Sequence, residues 1–161
     1  MARQEHIVEY CPGDATDRRF ASLESTEKWL RKAGGRAVFL LLQRLSGESS
    51  PTRLAGYGWT GYEESPRFEA YPITSAYRLG DIALNQGLFK HYVQAVVSAT
   101  KTLFTMEGVG LETWQSNDPA FRTYKKVGFS ELEIGPDELR PTLLKDSGTV
   151  LDQRVYMGYQ D

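Results

Sequence analysis

Asp81-Ile82-Ala83-Leu84-Asn85-Gln86-Gly87-Leu88-Phe89, a long helical run to Glu107, and the strand Gly108-Val109-Gly110-Leu111-Glu112-Thr113-Trp114 decide how this chain folds. They lead to Asn117-Asp118-Pro119-Ala120 and a second helix that stops at Gly128-Phe129. Phe89, Tyr92, Val93, Val96, Val97, Thr100, Leu103 and Phe104 recur at three- and four-residue steps, a single apolar stripe that predicts one long helix. Gly108 reads as the residue that closes this helix in the left-handed conformation. Val109, Leu111 and Thr113 alternate with Gly110, Glu112 and Trp114, as a strand does. Asp118 reads as an N-cap ahead of Pro119 in the first helical position. Ala120, Phe121, Tyr124 and Val127 supply that helix's apolar spacing. Gly87 stands where a loop enters the first helix, so free backbone N–H groups and the positive end of the helix dipole converge there. That arrangement suits a phosphate or pyrophosphate.

Working outward, His6-Ile7-Val8-Glu9-Tyr10-Cys11 is rich in β-formers and ends at Pro12-Gly13, which predicts a short strand. Asp14 or Thr16 could cap a short helix through Phe20 and Leu23. Ser25 or Thr26 could cap another through Trp29 and Leu30, ending at Gly34-Gly35. Ala37-Val38-Phe39-Leu40-Leu41-Leu42 is continuously apolar, as expected of a central strand buried on both faces, with a helix the alternative that periodicity alone leaves open. Ser46 to Pro51 is a polar loop. From Leu54 to Tyr62, Ala55, Tyr57 and Trp59 alternate with Gly56 and Gly58, so something packs close to the glycine face. Phe68 to Leu79 reads as a further strand, broken near Pro72. After Phe129, Ser130 to Ile134 is a strand, Gly135 to Gly148 a surface excursion, and Val150 to Tyr159 a last strand. The first half is an antiparallel meander, and the second adds helices with a crossover.

At 161 residues the chain has the length of one domain, residues 1–161, with room for a real core. Nineteen Lys and Arg against 21 Asp and Glu give a net charge of −2, which argues against a general nucleic-acid binder. A single cysteine, Cys11, cannot form an internal disulfide, no run reaches the length of a membrane span, and Met1 to His6 lacks an apolar signal region. A cytoplasmic protein with no membrane or nucleic-acid partner is the simplest expectation. His6 and His91 stand too far apart from other ligand types to propose a metal site, so no metal is expected.

The order of elements resembles the GCN5-related N-acetyltransferase (GNAT) family in two blocks. In that family the first block is a strand leading to Gln/Arg-x-x-Gly-x-Gly/Ala and a long helix. The second is a strand followed by Asn-x-x-Ala-x-x-x-Tyr-x-x-x-Gly-Phe. Asn117, Ala120, Tyr124, Gly128 and Phe129 all sit at the second block's spacing. Gly87 matches the central glycine of the first, whereas Leu84 stands where Gln or Arg is usual and Phe89 replaces the last small residue. The resemblance implies an α/β (α+β) fold: a mixed, mostly antiparallel sheet of about six to seven strands flanked by about four helices.

It also implies an acetyl-CoA-dependent N-acetyltransferase, in which a small-molecule or peptide amine attacks the thioester directly. The backbone of Leu84, Asn85, Gln86, Gly87, Leu88, Phe89 and Lys90 is then the expected pyrophosphate cradle. Asn117 is expected on the pantetheine arm, and Lys125 near the nucleotide phosphates. Tyr124 is the expected acid for the departing thiolate, since a phenol of pKa about 10 can protonate a thiolate whose conjugate acid lies near ~8.5 when held close. Tyr124 fits equally a packed aromatic, and Asn117 a local cap. For the base, Glu112, Asp81, Glu63, Glu64 and Glu69 are all candidates, with Glu112 preferred. The competing expectation is a GNAT-like domain that binds an acyl-CoA or a protein without catalysis. Dimers are common in the family, so a homodimer is among the expected states.

Overall fold

The computed structural model describes residues 4–10, 22–31, 35–44, 52–62, 70–105, 108–133, 139–144 and 148–160, with side chains described for all of these except 8, 139–144 and 148–151. In chain order the strands are β1 (Arg36–Arg44), β2 (Thr52–Tyr62), β3 (Ile73–Leu79), β4 (Gly108–Trp114), β5 (Ser130–Glu131), β6 (Leu139–Leu144) and β7 (Gly148–Gln160). The described α-helices are α1 (Glu5–Tyr10), α2 (Leu23–Arg31), α3 (Leu88–Phe104) and α4 (Asp118–Val127). The sheet runs β1-β2-β3-β4-β7-β5, with β6 also paired to β7. Every pairing is antiparallel except β3 with β4. The expected mixed, mostly antiparallel sheet is present.

β1, β2 and β3 form the expected meander, and α3 is the crossover that lets β4 run parallel to β3. Tyr92, Val93, Val96, Val97 and Thr100 are the buried stripe of α3, as its spacing predicts, whereas Leu103 is 61% exposed at the helix end. Against this stripe pack Tyr77, Val109, Leu111, Tyr124, Phe129 and Met157, so the core lies between α3 and α4 and one face of the sheet. Gly58 explains how close that packing is. A Cβ there would lie 3.0 Å from the Tyr92 hydroxyl and 2.9 Å from the Ala76 carbonyl oxygen. The bare glycine face read from the sequence is thus the seat of α3.

Several local expectations are corrected. Residues Glu5–Tyr10 form a helix, not a strand. Their β-branched content is overridden by tertiary contacts, because helical spacing turns His6, Ile7 and Tyr10 to one side, against the ends of β3 and β4. α2 starts earlier than Ser25, with Ser22 as its cap. The Ser25 N–H donates to Ser22 Oγ at 3.1 Å and the Ser22 N–H to Ser25 Oγ at 3.0 Å, a reciprocal box.

β1 is an edge strand rather than a central one, and Val38, Leu40 and Leu42 are 42%, 58% and 55% exposed. Its opposite face, Phe39 and Leu41, packs on the core. A bulge at Ala55, which has no partner on β1, interrupts the alternation read for β2. α3 ends at Phe104 with Thr105 in the left-handed position (φ 52°), and Gly108 opens β4 instead. Asn117, not Asp118, occupies the N-cap position of α4; Asp118 is the first helical residue, its carboxylate 2.7 Å from Arg122. β5 spans two residues only, and residues 139–144 form a strand where a surface excursion was expected. The expected features at Cys11 to Phe20, Ser46 to Pro51, Glu63, Glu64, Phe68, Glu69 and 134–138 lie outside the described residues.

Candidate active site

The parallel pair at the centre of the sheet is barely a pair. β3 and β4 are bridged at Thr74 and Gly110 alone, and beyond that point they diverge. The remaining carbonyls of β3 divide by direction. Thr74 O accepts from the Thr60 hydroxyl, and the Ala76 and Arg78 oxygens sit against Gly58 and Gly56, so all three face β2. The Tyr77 and Leu79 carbonyls therefore face the gap. Tyr77 O accepts from the Arg78 guanidinium at 2.8 Å and Leu79 O from His6 Nε2 at 2.8 Å.

A cavity of about 740 Å³ fills this splay. Successive residues of β3 point to opposite faces of the sheet, and both sets line it. Ser75, Tyr77 and Leu79 belong to the α3–α4 face, while Thr74, Ala76 and Arg78 belong to the other. The cavity thus passes through the sheet and joins its two faces. On the α3–α4 side its wall holds Leu84, Asn85, Phe89, Asn117, Ala120 and Tyr124. On the far side it holds Trp29, Trp59, Arg78, Glu112, Trp114 and Arg154.

The loop before α3 leaves the helix start open. Gly87 has φ 68°, in the left-handed region that favours glycine, and a Cβ there would meet nothing within 4 Å. Glycine is required by the backbone turn, and the space beside it is open. No side chain caps α3, which leaves the first-turn N–H groups of Leu88, Phe89 and Lys90 to the helix dipole and to solvent. Asn85, Gln86, Gly87, Leu88 and Lys90 are exposed and Leu84 half-buried. Phe89 is not at the anion mouth. Its ring lies 6.2 Å from Tyr77 and 5.7 Å from Tyr124, so the bulky departure from the family pattern is absorbed by the aromatic floor of the cavity.

Tyr124 is buried, with ring neighbours Tyr77, Phe89 and Phe129 at 5.9, 5.7 and 5.8 Å, and it also lines the cavity. The packed and the functional readings therefore describe the same side chain. Gly128, at φ 119°, closes α4 with its N–H directed at Tyr124 O and Lys125 O, while the Phe129 N–H reaches Tyr124 O at 3.0 Å. That closure fixes where the phenol sits. Asn117 makes no side-chain cap to α4 and faces the cavity. Lys125 lies 2.5 Å from Glu131 and over the Phe121 ring.

Among the base candidates, Glu112 lines the cavity and is paired with Arg154, whose guanidinium lies 4.2 Å from the Trp114 ring. Asp81 is exposed, sits 3.1 Å from His6 Nδ1 and stays outside the cavity wall. Burial pushes the Tyr77 phenol well above its ordinary range, with the neighbouring Tyr124 and Tyr92 adding to the rise and Ser75 opposing it. Burial also raises Tyr92, whose hydroxyl donates to Phe39 O at 2.9 Å. Both stay neutral phenols at any physiological pH.

Other residues of the site carry no sequence motif. Asp152, 3% exposed, accepts from the Ser116 N–H at 3.0 Å and the Ser116 hydroxyl at 2.5 Å, tying β7 to the turn that launches α4. Arg36, Arg78 and Arg154 come from three strands and are brought together only by the fold. No group of three metal-ligating side chains occurs among the described residues, and no described helix is long and apolar enough to cross a membrane.

The sequence itself matches no family model and no curated protein. Solved structures do match. A Vibrio cholerae spermidine N-acetyltransferase SpeG mutant superposes with TM-score 0.57 at 13% identity over 88% of this chain and 75% of its own. AAC(6')-Ib with acetyl-CoA bound gives TM-score 0.60 at 19% identity, over 99% of this chain and 83% of its own. A putative phosphinothricin N-acetyltransferase gives 0.58 at 13% identity, over 86% and 77%. At such identities the likeness establishes the fold. The chain has the fold of the GNAT acetyltransferases, with the sheet splayed at the strand pair described above.

Proposed function

We propose that the protein is an acetyl-CoA-dependent N-acetyltransferase acting on a primary amine. The observation that carries this reading is the cavity that passes between β3 and β4 and opens on both faces of the sheet. Two substrates entering from opposite faces meet where the strands part. That geometry suits a direct transfer and needs no covalent enzyme intermediate. The resident groups fit acetyl-CoA. The uncapped N-terminus of α3 with its open glycine takes the pyrophosphate. The gap-facing backbone of β3 and the Asn117 amide offer donors and acceptors to the amide-bearing pantetheine arm. Binding of coenzyme A by the structural neighbour AAC(6')-Ib, solved with ribostamycin and coenzyme A, supports the assignment.

Acetyl-CoA supplies an activated carbonyl. The amine nitrogen forms the new bond to that carbon as the carbon–sulfur bond breaks. Tyr124 stands on the coenzyme side of the gap, where its phenol can give a proton to the leaving thiolate. Glu112 stands on the other side and receives the proton that the amine loses, directly or through water. A second reading, an acyl-CoA-binding domain without catalysis, draws on the pairing of Glu112 with Arg154, which occupies the carboxylate a base would use. Calorimetric titration with acetyl-CoA and coenzyme A, with ATP as control, tests the shared part of both. Saturable binding of the first two but not of ATP supports the assignment. No binding at millimolar ligand removes it. Turnover in an amine screen then separates the enzyme from the sensor.

A further inference from the structure

Tyr92 and Thr60 show how a buried hydroxyl is ordinarily kept in this core. The first donates to Phe39 O at 2.9 Å and the second to Thr74 O at 3.0 Å. Ser75 and Tyr77, 6% and 4% exposed, differ: neither hydroxyl has a hydrogen-bond partner. The same is true of Thr100, but Thr100 sits on α3 outside the cavity wall, whereas Ser75 and Tyr77 both line the cavity. A buried hydroxyl without a partner has given up water and received nothing in return. Two of them beside one cavity point to what that cavity takes.

Their place on β3 narrows the choice. Ser75 follows Thr74, whose bridge to Gly110 is the apex of the splay, and Tyr77 is one step further along the same face. Tyr124 stands on that face too, its ring 5.9 Å from the Tyr77 ring. Ser75 lies near enough to favour ionisation of the Tyr77 phenol and Tyr124 near enough to oppose it, so three hydroxyl-bearing side chains gather here. Ser75 and Tyr77 nevertheless make no hydrogen bond to each other. Both keep their protons, since a serine hydroxyl does not ionise and burial holds the phenol neutral. The ligand chemistry that fits such a pair is an oxygen that gathers negative charge away from water, where a hydrogen bond is worth most. In the transfer proposed above, that atom is the thioester carbonyl oxygen.

We propose that Ser75 and Tyr77 are catalytic residues whose hydroxyls donate together to the thioester carbonyl oxygen. This deepens the acetyltransferase reading and rests on it. As the amine nitrogen bonds to the carbonyl carbon, an electron pair of the carbonyl moves onto oxygen, and the two hydroxyls hold that charge. When the carbon–sulfur bond breaks, the pair returns to re-form the carbonyl, and the electrons of the broken bond leave with sulfur. No proton passes to or from Ser75 or Tyr77; the thiolate takes its proton from Tyr124 as before. The lack of an acceptor within the fold is then what a site shaped in advance for that charge requires.

Deleting the two hydroxyls tells this role from packing, because stability and function should move apart. Ser75→Ala and Tyr77→Phe each remove an unpaired buried hydroxyl, so urea denaturation of both variants is expected to show stability equal to or above the parent's. Binding is read by calorimetry with acetyl-CoA and with S-ethyl-coenzyme A, in which a methylene replaces the carbonyl. The parent is expected to hold acetyl-CoA about 5- to 20-fold more tightly, the worth of one or two hydrogen bonds. Each variant is expected to lose part of that preference, with the S-ethyl compound binding all three proteins alike. With an amine that the screen shows to be a substrate, each variant is expected to lose roughly 10²-fold in kcat. No preference for acetyl-CoA in the parent, or a preference undiminished in both variants, overturns the proposal. So does a loss of stability that weakens both ligands alike. In those cases saturable coenzyme binding by the parent leaves the acetyltransferase reading standing. If neither coenzyme binds the parent, that reading falls and this assignment falls with it.

Discussion

The two mouths of the cavity are built from different materials. On the α3–α4 side, proposed for the coenzyme, backbone dominates: a helix start at Gly87, the gap-facing edge of β3, and a glycine-closed helix that fixes Tyr124. On the other side, proposed for the acceptor, side chains dominate, with arginines over tryptophans drawn from α2, β1, β2, β3, β4 and β7. Backbone recognition tolerates sequence change, because an amide donates whatever side chain it carries. Leu84 and Phe89 can therefore depart from the family pattern without removing the proposed cradle. Side-chain recognition has no such tolerance, and it is where a chain with this fold can acquire its own substrate.

That contrast breaks most sharply at Tyr124, the side chain to which the proposed acid–base chemistry on the α3–α4 side is given. Tyr124→Phe keeps the ring contacts with Tyr77, Phe89 and Phe129 and removes only the hydroxyl. The expected outcome is a fall in kcat of roughly 10²- to 10⁴-fold, the usual worth of general acid–base catalysis, with the acetyl-CoA affinity and melting temperature little changed. Unchanged turnover reduces Tyr124 to packing.

The buried phenols beneath that mouth give a test in pH. Tyr77 and Tyr92 have folded-state pKa values raised by burial, so the unfolded chain releases their protons first as pH rises. Their contribution is fully present below the unfolded value of about 10 and is lost above it, by about 1.4 kcal/mol per pH unit for each phenol. Urea denaturation at successive alkaline pH values, with phenolate absorbance followed in parallel, is expected to show ionisation and unfolding together. Tyr77→Phe is expected to flatten the slope. Free ionisation of these phenols in the native protein, without loss of fold, contradicts the burial on which the coenzyme side is built.

Asp152 joins the two sides, and its effect is smaller. Through Ser116 it holds the turn that starts α4, while the strand it sits on continues to Arg154 on the acceptor wall. Asp152→Ala strips a buried pair of hydrogen bonds to a carboxylate, with an expected cost of about 2–3 kcal/mol by chemical denaturation. It is also expected to lower kcat, because the helix bearing Tyr124 loses its anchor. A loss of stability with kcat unchanged means that Gly128 alone positions Tyr124.

How much could be read in advance follows the same division. The α3 stripe, β4 and the Asn117 to Phe129 block were legible because helix periodicity, caps and glycines are local signals. The acceptor wall was not, because Arg36, Arg78 and Arg154 become neighbours of Trp29, Trp59 and Trp114 only through sheet pairing and one helix packing. β1 misled for a related reason. An apolar run looks the same whether both faces of its strand are covered or one, and Val38, Leu40 and Leu42 share the exposed face of β1 while Phe39 and Leu41 pack on the core. His6-Ile7-Val8 misled through intrinsic propensity, which lost to docking against Leu79 and Asp81.

Gly87 yields the smallest effect and the cleanest one. Its φ of 68° places any L-residue with a Cβ in a strained backbone region, yet no atom lies within 4 Å to clash with that Cβ. Gly87→Ala should therefore cost about 1 kcal/mol of stability from strain alone. Gly87→Asn should cost less, since asparagine tolerates the left-handed conformation. If the open space beside Gly87 is where the pyrophosphate lies, both variants weaken acetyl-CoA in calorimetry, and Asn weakens it despite its milder effect on stability. Affinity that merely follows stability, with Asn close to the parent, would place the pyrophosphate elsewhere and return the recognition of the coenzyme to side chains.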